Sequence, residues 1–141
     1  QKTLKDNFLL SGEIKSKALE DQDFIKKCMN KIYENASQND FNLYALAKEM
    51  NMSYSTFYRK IKNITGMKAV DFLKKTKLHL AANLLLKKNQ NISTSSWESG
   101  FKNEKYFSKC FRQEFGQTPS EYIKNAKILK KTSPEEKKKK K

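Results

Sequence analysis

A chain of 141 residues with 30 basic side chains against 15 acidic ones, formally +15 at pH 7, has room for one ordinary domain or two small helical subdomains sharing a core. That size excludes a large multidomain enzyme, while 37% hydrophobic and 11% aromatic residues suffice for a core beneath a charged surface. The stretch 124–141 holds nine lysines against Glu135 and Glu136, or +7, so residues 1–123 still carry +8 and favour an anionic polymer as partner, most commonly nucleic acid.

The chain starts at Gln1 without Met, as a piece of a longer protein would, and residues 1–20 are expected to form an N-terminal linker. From Phe24 the apolar residues Phe24, Ile25, Cys28, Met29 and Ile32 recur at spacings of three and four, which predicts one face of a helix ending near Asn35. "ASQND" breaks that pattern. Asn42 is suited to cap a short helix with a buried stripe of Leu43, Leu46, Ala47 and Met50, and Asn51 behind it tolerates the left-handed backbone of a sharp turn. Ser53 then caps a further helix with Phe57, Ile61 and Ile64 on one face and Gly66 at its end. Helix, short turn and helix make a helix-turn-helix, whose second helix can enter a DNA major groove; the same arrangement is common in bundles that touch no DNA.

A long helix over about 68–88 follows, with Phe72, Leu73, Leu80, Ala81, Leu84 and Leu85 as its apolar positions, and reads as a spine between two halves. The second half repeats the first. "SYSTFYRKIKNITGMKAVDFLK" from Ser53 and "NEKYFSKCFRQEFGQTPSEYIK" from Asn103 align without a gap at an offset of fifty. The alignment matches Ser53 with Asn103, Phe57 with Phe107, Ile61 with Phe111 and Gly66 with Gly116. Upstream the offset becomes forty-nine, with one extra residue in the second turn, so that Asn51-Met52 matches Gly100-Phe101, Glu49 matches Glu98 and Leu43 matches Ile92. In "TPSE", Thr118 is the expected N-cap, Pro119 the first helical residue and Glu121 the closing member of a capping box. The expected organisation is all-α with about seven helices: a first helix-turn-helix subdomain over 21–66, a linker helix over 67–88, a second subdomain over 89–130 and a basic disordered tail over 131–141. The five terminal lysines suit a solvated tail, a non-specific phosphate contact or an appended sequence.

The repeat assigns "NISTSSWESGF", residues 91–101, to the first helix of the second unit. There Ser95, Ser96 and Ser99 stand where the first copy has Leu46, Ala47 and Met50, and Ile92, Trp97 and Phe101 are left as the expected anchors. Serine hydroxyls can bond back to carbonyls one turn earlier, so a helix over 93–99 is expected, weaker than its partner at 43–50.

Through "LAKEMNMSYSTFYRKIKNITG", "LHLAANLLL" and "GFKNEKYFSKCFRQEFGQTPSEY", the chain resembles over about residues 21–126 the DNA-binding region of the AraC/XylS family of bacterial transcription regulators. The serine-rich segment departs from the small or aliphatic residues usual in that family. The resemblance implies two helix-turn-helix units joined by a linker helix, with recognition helices in successive major grooves on one face of double-stranded DNA. It also implies a cytoplasmic output domain of a response regulator or hybrid sensor kinase, with a receiver or sensor domain upstream in the same parent chain and RNA polymerase as a further partner. "QKTLKDNFLLSGEIKSK" would suit a linker following a receiver domain.

Helical arithmetic at about 100° per residue places the candidate reading faces without the family. Phe57 and Ile61 define the buried side of the first recognition helix, and the opposite side carries Ser55, Arg59 and Lys62 with Tyr58 at its flank. In the second copy the corresponding side carries Lys105, Lys109 and Arg112, with Ser108 at the flank; none of these eight residues is acidic. Arg59 and Arg112 are the only arginines in the chain. An arginine fork can pair with guanine O6 and N7 in a way lysine cannot, so Arg59 is the first candidate for base readout. The resemblance implies base contacts from Ser55, Tyr58, Arg59, Lys105, Ser108 and Lys109, and Ser53, Lys60, Lys62, Asn103 and Arg112 are the candidates for phosphate. A solvated basic face, or phosphate contacts alone, is the competing reading of the same residues. Glu104 would repel phosphate if it faced the backbone, but at a helix start it suits the dipole.

Other chemistries find little support. Cys28 and Cys110 lie 82 residues apart on apolar helical positions and read as reduced core thiols rather than a disulfide or metal site. His79, the single histidine, lacks partners for a zinc site or a catalytic base. No apolar run approaches a membrane span, and no signal peptide is expected ahead of the fold. An enzyme is disfavoured by the lack of a Gly-rich phosphate loop, paired acids or an activated nucleophile, so no cofactor or metal is expected, and any histidine kinase activity would lie outside this chain. A non-specific architectural or RNA-binding protein and a helical protein-contact module remain the alternatives, the latter needing an exposed apolar patch.

Overall fold

Helices here begin where the sequence offers something to their first free amides or to their dipole, and these starts set the architecture. The computed structural model describes residues 18–87 and 91–131, with side chains to 129. Among them α1 spans Leu19–Asn35, α2 Leu43–Glu49, α3 Tyr54–Thr65, α4 Ala69–Leu85, α5 Ile92–Glu98, α6 Glu104–Phe115 and α7 Pro119–Lys131. The expected all-α fold of about seven helices forms, and the described residues include no strand.

The helix α1 has no side-chain cap but carries Glu20 and Asp21 in its first turn, where carboxylates favour the dipole. Asn42 caps α2 by accepting from the Ala45 amide at 2.9 Å, and Asn91 caps α5 from the Thr94 amide at 2.7 Å. Ser53 caps α3 through the Thr56 amide at 3.3 Å, and Asn103 caps α6 through the Tyr106 amide at 2.9 Å. Gly66 and Gly116 end α3 and α6 in the left-handed conformation, with φ of 78° and 73°. For α7 the expected capping box closes in both directions: the Thr118 amide donates to Glu121 Oε1 at 2.9 Å, and the Glu121 amide to Thr118 Oγ1 at 3.2 Å. The offsets read from sequence are therefore structural: α2 and α5 are forty-nine residues apart, α3 and α6 fifty.

Two apolar clusters form, and α4 belongs to both. The first joins Phe24, Ile25, Cys28, Met29 and Ile32 of α1 to Leu46, Ala47, Phe57, Ile61 and Ile64, closed by Ala69, Phe72 and Leu73 of α4. The second packs Leu78, Ala81, Ala82 and Leu85 of α4 against Phe101, Phe107, Cys110 and Phe111. The four buried positions Ala69, Phe72, Leu73 and Thr76 recur nine residues later as Leu78, Ala81, Ala82 and Leu85. Nine residues are two and a half turns, so the two sets lie on opposite sides of α4, displaced by about 14 Å along it. Of the six apolar positions expected on this helix, Phe72, Leu73, Ala81 and Leu85 are buried, Leu80 and Leu84 are half-buried, and Leu78 and Ala82 join the core as well.

A correction concerns the serine-rich segment. The helix α5 forms, with Ser95, Ser96 and Ser99 buried, but Trp97 is 55% exposed and is no anchor. Its counterpart at an offset of forty-nine is Lys48, itself exposed, and the arc α5 buries runs through 95, 96 and 99, off which residue 97 falls. Phe101 is buried and Ile92 packs from the edge of the second cluster. Leu43 and Met50 likewise pack from the edge of the first rather than inside it. The expected linker over 1–20 lies outside the described residues as far as 17, whereas Leu19 and Glu20 already belong to α1; the tail lies outside them from 132.

Candidate nucleic-acid interface

The apolar faces of α3 and α6 are spent on the two cores, which fixes what each helix has left to show. Phe57 and Ile61 in α3, and Phe107 and Phe111 in α6, are fully buried. On α3, Ser55, Arg59 and Lys62 are exposed, with Tyr58 half-buried beside them; on α6, Lys105, Lys109 and Arg112 are exposed, with Ser108 half-buried. The six residues expected at bases thus lie on the first two turns of their helices, the part that a helix-turn-helix presents to base edges.

The residues expected at phosphates are less uniform. Ser53 and Asn103 are exposed but already serve as caps, and the Ser53 hydroxyl also donates to Thr56 Oγ1 at 2.9 Å. Lys62 lies at the far end of α3 and donates to the Gly66 carbonyl at 3.2 Å, and Arg112 lies in the last turn of α6. Lys60 is turned toward α1, its ammonium 4.3 Å from the centre of the Phe24 ring, an arrangement that places it nearer the buried side than Arg59. A cleft of about 390 Å³ beside α3 is lined by Asp21, Thr56, Arg59, Lys60 and Asn63, so a carboxylate from the first turn of α1 shares the surroundings of the principal candidate.

Sequence reading missed an aromatic column. Tyr44 of α2, 66% exposed, stacks on Tyr54 with ring centres 4.2 Å apart, and Tyr54 leans on Tyr58 at 6.1 Å. The signal available was the four-residue spacing of Tyr54 and Tyr58; the Tyr44 contact crosses the turn and has no local signature. The second unit has Ser93, Glu104 and Ser108 at the matching positions. It is braced from below instead: Glu114 accepts from Lys75 Nζ at 2.8 Å and meets His79 Nε2 at 3.1 Å, tying the end of α6 to α4. His79 also packs edge-on against Phe115, so the lone histidine is a structural residue.

Among the described residues no group of three or more His, Cys, Asp or Glu is placed to hold a metal ion, and no helix is long and apolar enough to cross a membrane. Cys28 and Cys110 are both buried as free thiols. Burial pushes the Cys28 thiol up to about 12, against a smaller opposing pull from the Lys60 charge.

Known proteins share this fold. Residues 46–125 match the helix-turn-helix domain family. Over 102 residues the chain is 37% identical to histidine kinase P4 of Formosa agariphila, a match that covers 72% of this chain and 7% of that protein. The C-terminal domain of AraT, a response regulator from Geobacillus stearothermophilus, is 28% identical with a TM-score of 0.62, covering 72% of this chain and 84% of that one. The DNA-binding domain of AdpA, solved in complex with a target DNA, is 20% identical with a TM-score of 0.66, covering 77% of this chain and 97% of that one, and shows the shared fold.

Proposed function

Since the chain belongs to the AraC-type helix-turn-helix family of DNA-binding domains, we propose that it reads double-stranded DNA by sequence, with α3 and α6 in successive major grooves. The observation that carries this is the repeated geometry: two capped twelve-residue helices, each with its apolar side buried in its own cluster and a basic or hydroxyl-bearing side exposed. Arg59 supplies the fork that pairs with guanine, and Lys105 and Lys109 supply the corresponding contacts of the second unit. Tyr58, steadied by Tyr54, offers an apolar edge that suits a thymine methyl group. The caps Ser53 and Asn103 are the phosphate contacts at the helix starts, and Lys62 and Arg112 those along the flanks, whereas Lys60, held over Phe24, is left out of the set.

The same family supports a reading of the wider protein. A chain that spans 7% of the histidine kinase it matches, and resembles the C-terminal domain of a response regulator, fits the output end of a larger signalling protein. In that setting a receiver or sensor domain lies upstream and RNA polymerase is the machinery addressed. The proposed domain plan is a first unit built from α1 to α3, α4 as the linker helix and a second unit built from α5 to α7.

Selection of bound sequences from a random DNA pool tests the reading. The expected product is an operator with two half-sites about one helical turn apart. Recovery of no preferred sequence would leave a non-specific, charge-driven binder. Affinity should also fall steeply with salt, each neutralised phosphate contributing about −0.9 to the logarithmic slope.

A further inference from the structure

The break in the internal repeat falls where the two halves touch. Between α2 and α3 the turn over 50–53 has four residues, and between α5 and α6 the turn over 99–103 has five. With Met50, Asn51 and Met52 matched to Ser99, Gly100 and Phe101, and Ser53 to Asn103, the additional residue is Lys102. Its ammonium crosses to the first half and donates to the Asn39 carbonyl at 3.1 Å, a partner 63 residues away in sequence.

Gly100 approaches the same place from the other side of the turn. A Cβ at this position would sit 2.7 Å from the carbonyl oxygen of Ala36, a main-chain atom just after α1, and 3.1 Å from Lys77 Cε. A main-chain oxygen cannot swing aside as a side-chain tip can. The matched residue of the first unit, Asn51, makes its bend at φ 58° and carries a side chain, whereas Gly100 lies at φ 96° against the neighbouring half. Around this contact a cavity of about 210 Å³ is walled by Ala36, Asn39 and Phe41 from the first half, by Lys77 of α4, and by Trp97 and Lys102 from the second. The side chain of Lys77 is half-buried there; burial, and secondarily the Lys102 charge, hold its ammonium below the ordinary value.

These contacts lie off the axis of α4. Each reading helix is carried by its own cluster on opposite sides of α4, so α4 by itself sets their displacement along one line. A second contact away from that line would resist swinging of one unit relative to the other. We propose that the five-residue turn is a spacer that locks α6 in place relative to α3, making Gly100 and Lys102 positioning residues for the half-site separation the protein accepts. The inference rests on the two-unit reading of DNA given above.

The test uses the full chain and the duplex recovered by wild-type selection, with one or two base pairs inserted or deleted between the half-sites, and a duplex bearing the first half-site alone. Wild type should lose about 100-fold in affinity when the spacing is changed, because simultaneous engagement fails. Lys102→Met, which leaves the bend intact, should cut that discrimination to roughly tenfold or less while leaving the first half-site unaffected. Gly100→Asn should shift or flatten the spacing profile as well. Gly116→Asn is the control for left-handed strain, since a Cβ there meets nothing within 4 Å, and it should keep the wild-type profile. Lys102→Met and Gly100→Asn profiles identical to wild type would overturn the proposal. So would an equal loss at every spacing in Lys102→Met, which would make Lys102 a phosphate contact. A wild type indifferent to spacing would instead defeat the two-unit reading itself, and is recognised before any variant is made.

Discussion

Arg59 and Lys60 are neighbours in sequence with the same formal charge, and the fold gives them different work. Arg59 projects from the exposed side of α3, whereas the Lys60 ammonium settles over Phe24. Replacing Arg59 by Ala should cost about 1–3 kcal/mol at the cognate site and relax one base preference, read by binding to a set of single-base operator variants. Uniform weakening across that set would demote Arg59 to a phosphate contact. At Cys28 the expectation is chemical: a thiol raised to about 12 and fully buried stays protonated at neutral pH, so alkylation should proceed only at the rate of global unfolding. Faster modification in the native protein would contradict this. Phe57 fills the centre of the first cluster with no exposed surface, and Phe57→Ala should destabilise by about 3–5 kcal/mol in denaturant melts. Residue identity announced the exposed basic positions of α3 and α6, because a 3.6-residue period is visible in any helix. It did not announce the direction Lys60 takes, because Phe24 is distant in the chain, whereas the exposure of Trp97 was open to a reading of the repeat that matched it to Lys48.

At the level of single elements, the serines of α5 are the informative case. The Ser99 hydroxyl donates to the Ser95 carbonyl at 2.8 Å with the Ser96 carbonyl at 3.0 Å, and the Ser96 hydroxyl donates to the Phe101 carbonyl at 3.2 Å. The Ser99 hydroxyl is thus satisfied by back-bonding within the helix and the Ser96 hydroxyl by the turn ahead of it, and the segment folds without the aliphatic stripe of α2. What it forgoes is apolar burial, so amides of α5 should exchange faster than those of α2; equal protection would show that the hydroxyl network compensates fully. The start of α7 is sensitive to pH for a different reason. The Thr118 amide donating to Glu121 holds that carboxyl below its usual 4.5, so the fold favours the charged form. Its stabilisation is present above pH 4.5 and is lost as pH falls through the depressed value. Protection of the Thr118 amide should fall in that acid window, and Glu121→Gln should remove the step. The caps Asn42, Ser53 and Asn103, the glycine ends and the capping box were legible in the sequence because each is set within one turn, whereas the Asn91 cap, ahead of the expected helix, was not read. The burial pattern of α4 was not, since one helix serving two cores alternates sides midway and looks like a single ragged stripe.

For the whole molecule, the repeat made the architecture readable: once one unit was recognised, an offset of forty-nine to fifty residues supplied the other. The same repeat hid the relation between the units, because alignment treats Lys102 as an insertion and cannot say that it reaches Asn39. The +15 charge belongs at this scale too. Its distribution over both halves means that salt should weaken binding without changing which sequence is preferred, and titrating salt against matched and mismatched duplexes would separate the two effects.

Two sequence copies suggest two modules, but α4 leaves no clean place to cut. A fragment covering 18–87 retains Ala69, Phe72 and Leu73 and with them the closure of its own cluster. A fragment beginning at Asn91 takes Phe101, Phe107 and Phe111 but leaves behind Leu78, Ala81, Ala82 and Leu85, the wall they rest on. The first piece should melt cooperatively and the second should not, which circular dichroism of the two peptides would show. Anyone grafting the second unit onto another protein must therefore carry across a length of helix that the boundaries of the repeat assign to neither copy.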